Sequence, residues 1–403
     1  MTAESSKRGL LVLASTYPRW YGDHEPGFVH ELSRRLSAAF DVTVVTPHAQ
    51  GALERETMDG VEIVRYRYAP ERLETLVHGG GMAANLGRAR WKWLLLPGFL
   101  CAQYLAARRV LAQRPIAVVH VHWLLPQGLV ALLAAGRRGV PYVVTSHGGD
   151  LFGLRGRVAT RLKRLVAKRA SAMTVVSSAM REEAGRLGLA PPAIDVVPMG
   201  ADLRARFVAS DPAERDADTL LFVGRLVPKK GLVHLLDAMP LILAARPGVV
   251  LEIAGFGPDR PALEAHAAAL GIAAHVRFLG AMPQAELPSL YGRAGVFVAP
   301  FVRDASGDQE GLPVALMEAI GCGCPAVVGD VAGVHDLLGD EARHVVVDPR
   351  DREALARAVL EVLEHPAEAR ARTLALRARA IERVDWDRIA ARYAEILNAA
   401  AVT

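Results

Sequence analysis

Short apolar strands alternate with helices along most of this chain, and this alternation constrains its fold more than any other feature. The pattern runs through the first 200 residues and returns between residues 219 and 348. Such an alternation is typical of parallel sheets covered by helices on both faces. The predicted strands of the first half are GLLVLAST (9–16), DVTVVTP (41–47), IAVVHVH (116–122), PYVVTSHG (141–148), SAMTVVSS (171–178) and AIDVVPMG (193–200).

A chain of 403 residues exceeds what one ordinary hydrophobic core supports. We therefore predict two doubly wound α/β domains, over residues 1–202 and residues 218–380. The polar, turn-forming segment 203–217 is predicted to be the linker between them. Residues 381–403 include an amphipathic helix that we expect to return to the first domain.

The charge of the chain is unevenly distributed. Residues 1–201 contain 26 Lys and Arg against 15 Asp and Glu, whereas the remainder contains 22 against 28. The basic excess peaks at 155–169, which has seven Lys or Arg, no acidic residue, and apolar residues at helical spacing. Such a helix can lie on anionic lipid or approach a phosphate-bearing acceptor, the alternative being a solvated helix face over the core.

Nothing near the N-terminus predicts an export signal, since the apolar run at 10–14 is too short for a signal peptide. Of two longer apolar stretches, 93–107 is short and contains Pro97, and 116–136 contains two histidines, a proline and a glutamine, so it is predicted to be strand, loop and buried helix. We therefore expect a cytoplasmic protein without a transmembrane helix, placed at the inner face of the plasma membrane if the basic segment binds lipid. No nucleic-acid partner is expected.

Two basic residues flank the loop after a predicted strand in GRLVPKKG (224–231). Arg225 follows the strand, and Lys230 precedes the glycine that opens the next helix. Ligands of parallel sheets collect at the carboxyl ends of the strands, and two cations beside a helix N-terminus suit a diphosphate. We predict an anion site here, the alternative being surface charge on a loop.

Histidines end two other predicted strands. In HGGD (147–150), His147 can donate to a sugar hydroxyl, and Asp150 can accept a hydrogen bond or anchor the loop. In VHVHW (119–123), His120 and His122 lie on one face of the strand because of its period of two. No acid or third histidine accompanies them locally, so we expect packing or pocket lining rather than a metal site.

Two carboxylates stand eight positions apart in EGLPVALME (310–318). Glu310 precedes a helix predicted to begin near Leu312, and Glu318 lies on its second turn. Backbone N–H groups at such a helix start can hold phosphate or hydroxyl oxygens. Glu310 can then face a reacting sugar while Glu318 accepts hydrogen bonds from two ribose hydroxyls. A nucleotide sugar is long, and it needs a carboxylate near each end.

In this order, these features resemble the retaining glycosyltransferases of family 4. The resemblance covers nearly the whole chain and implies the GT-B fold, in which two Rossmann-like domains face a central cleft. The first loop departs from the family pattern, because Pro26-Gly27 replaces a Gly-Gly pair. The matching segments are STYPRWYGDHEPGFVHELSRRL (15–36), HGGD, GRL with the KG that follows, AGFGP (254–258), VRFLG (276–280), DQEGLPVALMEAIGCGCPAVVG (308–329) and WDRIAARYAEIL (386–397).

The resemblance also implies roles for individual residues. The implied catalytic residues are His147, in contact with the donor sugar, and Glu310. Asp150 would bind the acceptor or anchor its loop, and the base would lie against the VRFLG turn. The implied residues for the diphosphate, ribose and sugar of the donor are Gly27, Arg225, Lys230, Gly311, Leu312, Pro313 and Glu318.

The implied activity is transfer of a hexose-type sugar from a UDP- or GDP-sugar, with retained configuration, to a hydroxyl of a glycan or polyprenyl-linked glycan. This would serve bacterial exopolysaccharide, capsule or lipopolysaccharide assembly. No metal or other cofactor would be needed, because Arg225, Lys230 and helix dipoles would stabilise the leaving diphosphate. The alternatives are a sugar-nucleotide epimerase or phosphorylase on the same fold, and a nucleotide-sugar-binding protein without catalysis.

Overall fold

The computed structural model describes residues 7–23, 27–78, 81–331 and 333–402. The chain divides into two compact units: unit 1 is Met1–Pro198 with Trp386–Thr403, and unit 2 is Met199–Asp385. The last helix therefore belongs to unit 1, as the sequence predicted.

The strands are β1 (Arg8–Leu13), β2 (Phe40–Pro47), β3 (Arg55–Met58), β4 (Val61–Tyr66), β5 (Ile116–His122), β6 (Tyr142–Ser146), β7 (Ala172–Val175), β8 (Ile194–Val196), β9 (Asp216–Val223), β10 (Val250–Ala254), β11 (Val276–Gly280), β12 (Ala294–Ala299), β13 (Ala326–Gly329) and β14 (Val346–Val347). The α-helices are α1 (Phe28–Leu36), α2 (Met82–Arg88), α3 (Leu95–Gln113), α4 (Gln127–Ala134), α5 (Arg157–Arg169), α6 (Ser178–Arg186), α7 (Leu232–Ala245), α8 (Arg260–Ala269), α9 (Leu287–Arg293), α10 (Val314–Gly321), α11 (Val334–Leu338), α12 (Ala342–Val345), α13 (Arg352–Glu364), α14 (Pro366–Val384) and α15 (Trp386–Val402).

Unit 1 is a doubly wound sheet whose order among the described strands is β3-β4-β2-β1-β5-β6-β7-β8. All neighbouring pairs are parallel except β3 with β4. From β1 the chain crosses to β2 in one direction, whereas β5, β6 and β7 follow in the other. Because crossovers are right-handed, α1 lies on the opposite face of the sheet from α4 and α5. The order reverses between β1 and β5, and this is the switch point where ligands of such sheets bind.

The antiparallel pair β3 and β4 is an addition that the strand alternation did not predict. A tight turn joins the two strands at Asp59 and Gly60, both of which have positive φ. Asp-Gly between two extended runs is a strong hairpin signal, so the sequence did carry the information. The hairpin extends the edge of the sheet beside β2.

Unit 2 is a second doubly wound sheet, with all described neighbours parallel and the order β11-β10-β9-β12-β13-β14. A hydrophobic core lies on each side of the sheet: one contains Phe297 and Ile320, and the other contains Phe222 and Val296. The strand order reverses between β9 and β12, so the carboxyl ends of these two strands form the switch point of this unit.

The predicted linker, 203–217, is part of unit 2 rather than a connection between units. Leu203 and Phe207 are fully buried, and they pack so close to α10 that a Cβ at Gly321 would lie 2.6 Å from Leu203 Cδ2. Arg215 donates hydrogen bonds to the carbonyl oxygens of Tyr291, Ala294 and Cys322. The polar composition that suggested a linker instead satisfies backbone carbonyls at the ends of helices and strands.

Candidate active site

A cluster of cations and carboxylates lies at the switch point of unit 2. Lys230 Nζ lies 3.2 Å from Glu310 Oε2, and Lys229 Nζ lies 3.3 Å from Glu310 Oε1. Gly231 follows with φ of 67°, and a Cβ there would lie 1.8 Å from the carbonyl oxygen of Pro300. Glycine therefore lets the loop after β9 approach the end of β12, where the chain leads to Glu310.

The charges of this cluster depend on one another. Burial alone would raise the pKa of Glu310, but Lys230, Lys229 and Arg225 outweigh it and hold that pKa well below its usual range. Burial lowers the pKa of Lys230, and Glu310 only partly opposes this. Lys229 also pairs with Asp308 at 3.2 Å, and the two carboxylates raise its pKa in spite of burial. Three cations against two carboxylates leave a net positive charge suited to an anion.

The polar loop before Glu310 is held by its own hydrogen bonds. Asp304 Oδ1 accepts from the backbone N–H groups of Ser306 and Asp308, and Asp304 donates its own N–H to the carbonyl of Asp308. This closed turn places the Asp308 carboxylate against Lys229, and Glu310 follows two residues later. The loop thus fixes both carboxylates beside the lysines.

Glu318 has a different environment from Glu310. Its side chain is buried, accepting a hydrogen bond from Tyr291 Oη at 3.0 Å and one from Gln284 Nε2 at 3.3 Å. Burial raises the pKa of Glu318 to about 7, although these hydrogen bonds and the charge of Lys230 lower it. Lys230 therefore acts on both carboxylates of the motif.

The helix that carries Glu318 begins two residues later than predicted. Gly311 and Leu312 form a turn, and Pro313 is the N-cap of α10, which starts at Val314. Pro313 has extended backbone, with ψ of 108°, and this delays the first helical residue. The predicted backbone donors consequently lie in the turn as well as in the first turn of α10.

Hydrogen bonds and close backbone contacts join three sequence motifs in unit 2. Gly224 donates to the carbonyl of Ala254, and Leu226 donates to that of Phe256. A Cβ at Gly255 would lie 1.9 Å from the carbonyl oxygen of Gly224, so this contact requires glycine. Gly255 in turn donates to the carbonyl of Gly280, which ends VRFLG. The loop of Arg225 is thus tied to the turn against which the base is predicted to lie.

In unit 1, His147 stands at the carboxyl end of β6 in a group of aromatic rings. Its ring is nearly parallel to that of His122, with centroids 5.1 Å apart and planes at 13°, and the two rings meet edge to edge, with His147 Nε2 2.9 Å from His122 Nδ1. Trp123 and Phe28 flank it, with centroids at 4.9 and 5.0 Å. Burial, with a small contribution from His120, lowers the pKa of His147 to about 3, so the imidazole is neutral near pH 7.

The bond between the two histidines also determines which nitrogen of His147 carries its proton. His122 Nε2 is buried and without a hydrogen-bond partner among the described residues. A buried N–H without a partner is costlier than a buried lone pair, so the proton of His122 belongs on Nδ1 and is donated to His147 Nε2. The proton of His147 is then on Nδ1. His147 can therefore act as a neutral hydrogen-bond donor.

Asp150 makes the contacts of a loop anchor. Its carboxylate accepts hydrogen bonds from the backbone of Leu124 at 2.7 Å, from Ser146 Oγ at 2.9 Å and from the backbone of His147 at 3.2 Å. It thereby joins the loops that follow β5 and β6. Of the two roles that the sequence left open, this geometry favours the anchor.

Gly27 is the N-cap of α1, and Phe28 beside it contacts the His147 ring. A Cβ at Gly27 would meet only Pro18 Cγ, at 3.9 Å, so nothing in the described protein requires glycine there. His30 holds this helix in place through hydrogen bonds with Tyr17 at 2.7 Å and Asp59 at 2.8 Å. Pro26 lies outside the described residues.

Sequence reasoning missed several residues of these two groups. Lys229 was visible only as the other half of a Lys-Lys pair, and neither Phe28 nor Tyr291 belongs to a charged motif. From the sequence, His122 was expected to pack in the core or to line a pocket, but its bond to His147 depends on the pairing of β5 with β6. No periodicity within one strand could show that pairing.

No group of three or more His, Cys, Asp or Glu side chains that could hold a metal occurs within the described ranges. Two Asp-x-Asp sequences, at 216–218 and 385–387, could each offer a pair of carboxylates to a divalent ion. Their carboxylates are engaged elsewhere: Asp216 accepts from Thr219, Asp218 pairs with Arg246, and Asp385 pairs with Arg204.

Family models match both units. Residues 28–200 match the glycosyl transferase 4-like domain, and residues 205–382 match the glycosyl transferases group 1. The chain is 32% identical over 304 residues, covering 72% of it and 78% of the relative, to a GDP-mannose-dependent α-(1-6)-phosphatidylinositol monomannoside mannosyltransferase of Mycolicibacterium smegmatis. The chain is a glycosyltransferase of family 4.

A second relative of this glycosyltransferase is the glycogen synthase of Mycobacterium tuberculosis, 30% identical over 394 residues that cover 92% of the chain and 90% of the relative. Among solved structures, sucrose-phosphate synthase from Thermosynechococcus elongatus superposes with a TM-score of 0.79 at 21% identity, over 98% and 99% of the two chains. Anabaena HepE in complex with UDP and glucose superposes with a TM-score of 0.74 at 17% identity, over 97% and 99%. The predicted GT-B fold is confirmed.

Proposed function

We propose that this glycosyltransferase transfers a hexose from a nucleoside-diphosphate sugar to a hydroxyl of a glycan or lipid-linked glycan, with retained configuration and without a metal ion. The observation that carries the proposal is the cluster of Arg225, Lys229 and Lys230 held by Glu310 at the switch point of unit 2. Three buried or partly buried cations supply the charge stabilisation that a divalent ion gives to a leaving diphosphate elsewhere.

The donor would bind along the carboxyl ends of the strands of unit 2, which hydrogen bonds join to one another. Its diphosphate would lie against Lys230 and Arg225, and Arg can engage phosphate oxygens through paired donors. Glu318 would accept hydrogen bonds from the ribose hydroxyls, exchanging its contacts with Tyr291 and Gln284. Glu310 and the turn of Gly311 to Pro313 would bind the sugar.

Retention would follow from attack on the face that the leaving group occupies. The acceptor oxygen forms a bond to the anomeric carbon as the bond from that carbon to the phosphate oxygen breaks, and the acceptor proton passes to the departing phosphate. Glu310 would stabilise the positive charge that develops on the sugar ring. His147, a neutral donor, would hold a sugar hydroxyl without adding positive charge at the reacting carbon.

The relatives favour GDP-mannose as the donor to be tested first, since four of them are named GDP-mannose-dependent mannosyltransferases. These relatives are also named for a phosphatidylinositol monomannoside, a lipid-linked glycan, and this supports a lipid-linked acceptor for the chain. A role in bacterial exopolysaccharide, capsule or lipopolysaccharide assembly, with a polyprenyl-linked acceptor, stays a prediction. So does a site at the inner face of the plasma membrane.

The proposal is tested by product analysis in EDTA. The protein is incubated with UDP- and GDP-hexoses and a synthetic alkyl mannoside, and the anomeric configuration of the new linkage is read by NMR coupling constants. We expect one donor class to give a product with the configuration of the donor. An inverted product, or a trapped glycosyl-enzyme, would contradict the mechanism. Conversion of the donor sugar without acceptor would favour an epimerase, and dependence on phosphate a phosphorylase.

A further inference from the structure

A long part of unit 1 is almost free of acidic residues. Between Glu74 and Glu182 the chain contains 16 Lys and Arg but a single acidic residue, Asp150, which is buried in the loop that it anchors. This stretch forms α2 to α5 and the strands between them. The excess therefore extends well beyond 155–169, the segment in which the sequence analysis placed the basic peak.

Three helices of this stretch, α3, α4 and α5, form one layer on one face of the sheet. In the described structure α3 packs against α4, and α4 packs against α5. A Cβ at Gly128 of α4 would lie 2.6 Å from Val166 Cγ1 of α5, so the two helices are in close contact. Crossovers that run in one direction place their helices on the same face. The exposed cations of α3 and α5, and those of Arg137 and Arg138 in the turn after α4, consequently belong to this layer of unit 1.

Large apolar side chains are exposed among these cations. Trp91, Trp93 and Leu94, in the 3-10 turn ahead of α3, are 47%, 56% and 81% exposed. On α5, Val158 and Leu165 are also exposed, between Arg157, Arg161 and Lys168. Trp is enriched at the lipid–water boundary, and Lys and Arg beside apolar residues are typical of helices that lie on anionic membranes.

The segment Arg90–Gln113 passes a length and composition test for a membrane span, the single such helix within the described ranges, with a third of its apolar window buried. Its buried residues, among them Phe99, Ala107 and Val110, face the protein, and α3 contacts β1, β2 and β4. This is the arrangement of a helix that covers a sheet. The exposed part is its beginning, where the tryptophans lie.

We propose that the layer of α3, α4 and α5 is a docking surface for an anionic lipid bilayer. Trp91, Trp93 and Leu94 enter the headgroup region, and the exposed Lys and Arg of α3, of α5 and of the turn after α4 contact lipid phosphates. The charge of the surface is complementary to anionic lipid, and its exposed tryptophans and aliphatic residues suit the apolar boundary of a bilayer. This proposal is about where the enzyme acts, and it does not depend on which donor the enzyme uses.

The test uses the full chain and vesicles of phosphatidylcholine, with or without about 40% phosphatidylglycerol, at low and high salt. We expect sedimentation with the anionic vesicles alone, weakened by salt. Vesicles of brominated lipid should also quench tryptophan fluorescence, because Trp91 and Trp93 enter the bilayer.

Two double variants separate the parts of the surface. Trp91→Phe with Trp93→Phe should abolish quenching by brominated lipid, although Trp20, Trp123 and Trp386 remain. Arg157→Glu with Arg161→Glu should lower the affinity for anionic vesicles, measured by sedimentation, about tenfold or more. The matched control, Arg357→Glu with Arg379→Glu, makes the same charge change at exposed positions of unit 2 and should bind vesicles like wild type.

The binding of nucleoside diphosphates should be unchanged in all three variants, so a failure of this inference is distinguishable from a failure of the proposed donor site. Absence of binding to anionic vesicles at low salt would overturn the inference. So would equal weakening by the control, or binding to soluble polyanions such as heparin and RNA without any quenching by brominated lipid.

Discussion

His122 Nδ1 and His147 Nε2 lie 2.9 Å apart, between two imidazole rings that are nearly parallel. The bond links the end of β5 to the end of β6, and it gives His147 a defined tautomer with the proton on Nδ1. His122 thus acts as a positioning residue for His147. The hydrogen bond can be removed while an aromatic ring is kept at position 122.

His122→Phe should lower the turnover number for sugar transfer about tenfold, equivalent to about 1.4 kcal/mol, with little change in nucleotide affinity. The reason is that His147 would lose its fixed tautomer while the aromatic packing remains. The measurement is steady-state kinetics together with the dissociation constant of the nucleoside diphosphate.

His120→Phe is the matched control, because His120 is also buried on β5 but bonds Thr145 at 2.8 Å rather than His147. It should lose stability without a comparable loss of turnover. Equal effects of the two substitutions on turnover would show that His122 acts only through packing.

The buried histidines should make unfolding depend on pH. Burial lowers the pKa of His120 from an ordinary value of 6.5 to about 3. Between these values the unfolded chain binds the proton and the folded protein does not, so stability is lost as pH falls below 6.5, by up to about 1.4 kcal/mol per pH unit. The stability difference between wild type and His120→Phe, from urea unfolding, should therefore shrink from pH 7.5 to pH 5. A difference that is constant with pH would contradict the assignment.

Glu318→Gln should stabilise the protein at pH 8 but not at pH 5. The folded pKa of Glu318 is about 7, above its ordinary 4.5, so the buried ionised form destabilises the protein as pH rises through this window. The expected gain is of the order of 1–3 kcal/mol at pH 8, measured by denaturant unfolding. The same variant should bind nucleoside diphosphates more weakly. A loss of stability at pH 8 would mean that the carboxylate is needed by the fold.

Glu310→Gln should lower the stability of the protein without weakening its binding of a nucleoside diphosphate. It leaves Lys230 buried without its carboxylate, and breaking a buried pair costs about 3 kcal/mol or more. A nucleoside diphosphate can neutralise the lysines, so it should bind the variant at least as tightly as wild type and restore much of its stability, while transfer is abolished.

Thermal unfolding with and without the nucleotide measures both effects. Asp308→Asn is the control, because Asp308 contacts Lys229 only at the edge of the cluster. Weaker nucleotide binding by Glu310→Gln would place the carboxylate, and not the lysines, at the centre of the donor site.

Gly27→Ala should impair transfer without affecting folding. A methyl group there would meet only Pro18 at 3.9 Å, so stability should change by less than about 0.5 kcal/mol. The Michaelis constant for the donor should rise if the donor phosphate approaches this backbone. Gly136→Ala, at another open glycine of unit 1, is the matched control and should leave both unchanged. Wild-type kinetics of Gly27→Ala would remove Gly27 from the donor site.

The strand alternation predicted both sheets, because each strand of a parallel sheet is itself apolar and needs no knowledge of its partners. It did not predict the edge pair β3 and β4, whose residues are of mixed polarity. It misassigned 203–217, because Arg215 serves backbone carbonyls that lie up to 107 residues away. Composition along the chain cannot show such a contact.

In the candidate site, too, the sequence predicted positions along the chain but not the contacts between distant residues. Arg225, Lys230, Glu310 and His147 follow strands, and the strand ends alone indicated where they would lie. The bonds that set their charge and tautomer come from other strands and loops, as with Lys229 and His122. Sequence motifs therefore predicted which residues lie at the strand ends, whereas contacts with other strands and loops determine their protonation.

The most direct test of a metal-free diphosphate site at Lys230 is isothermal titration of nucleoside mono- and diphosphates in EDTA, into wild type and Lys230→Met. We predict that wild type binds one diphosphate class without metal and prefers it to the monophosphate. Lys230→Met should weaken binding of the diphosphate about tenfold or more and lose most of that preference. Binding only after Mg²⁺ or Mn²⁺ is added, or an unchanged preference in the variant, would contradict this prediction.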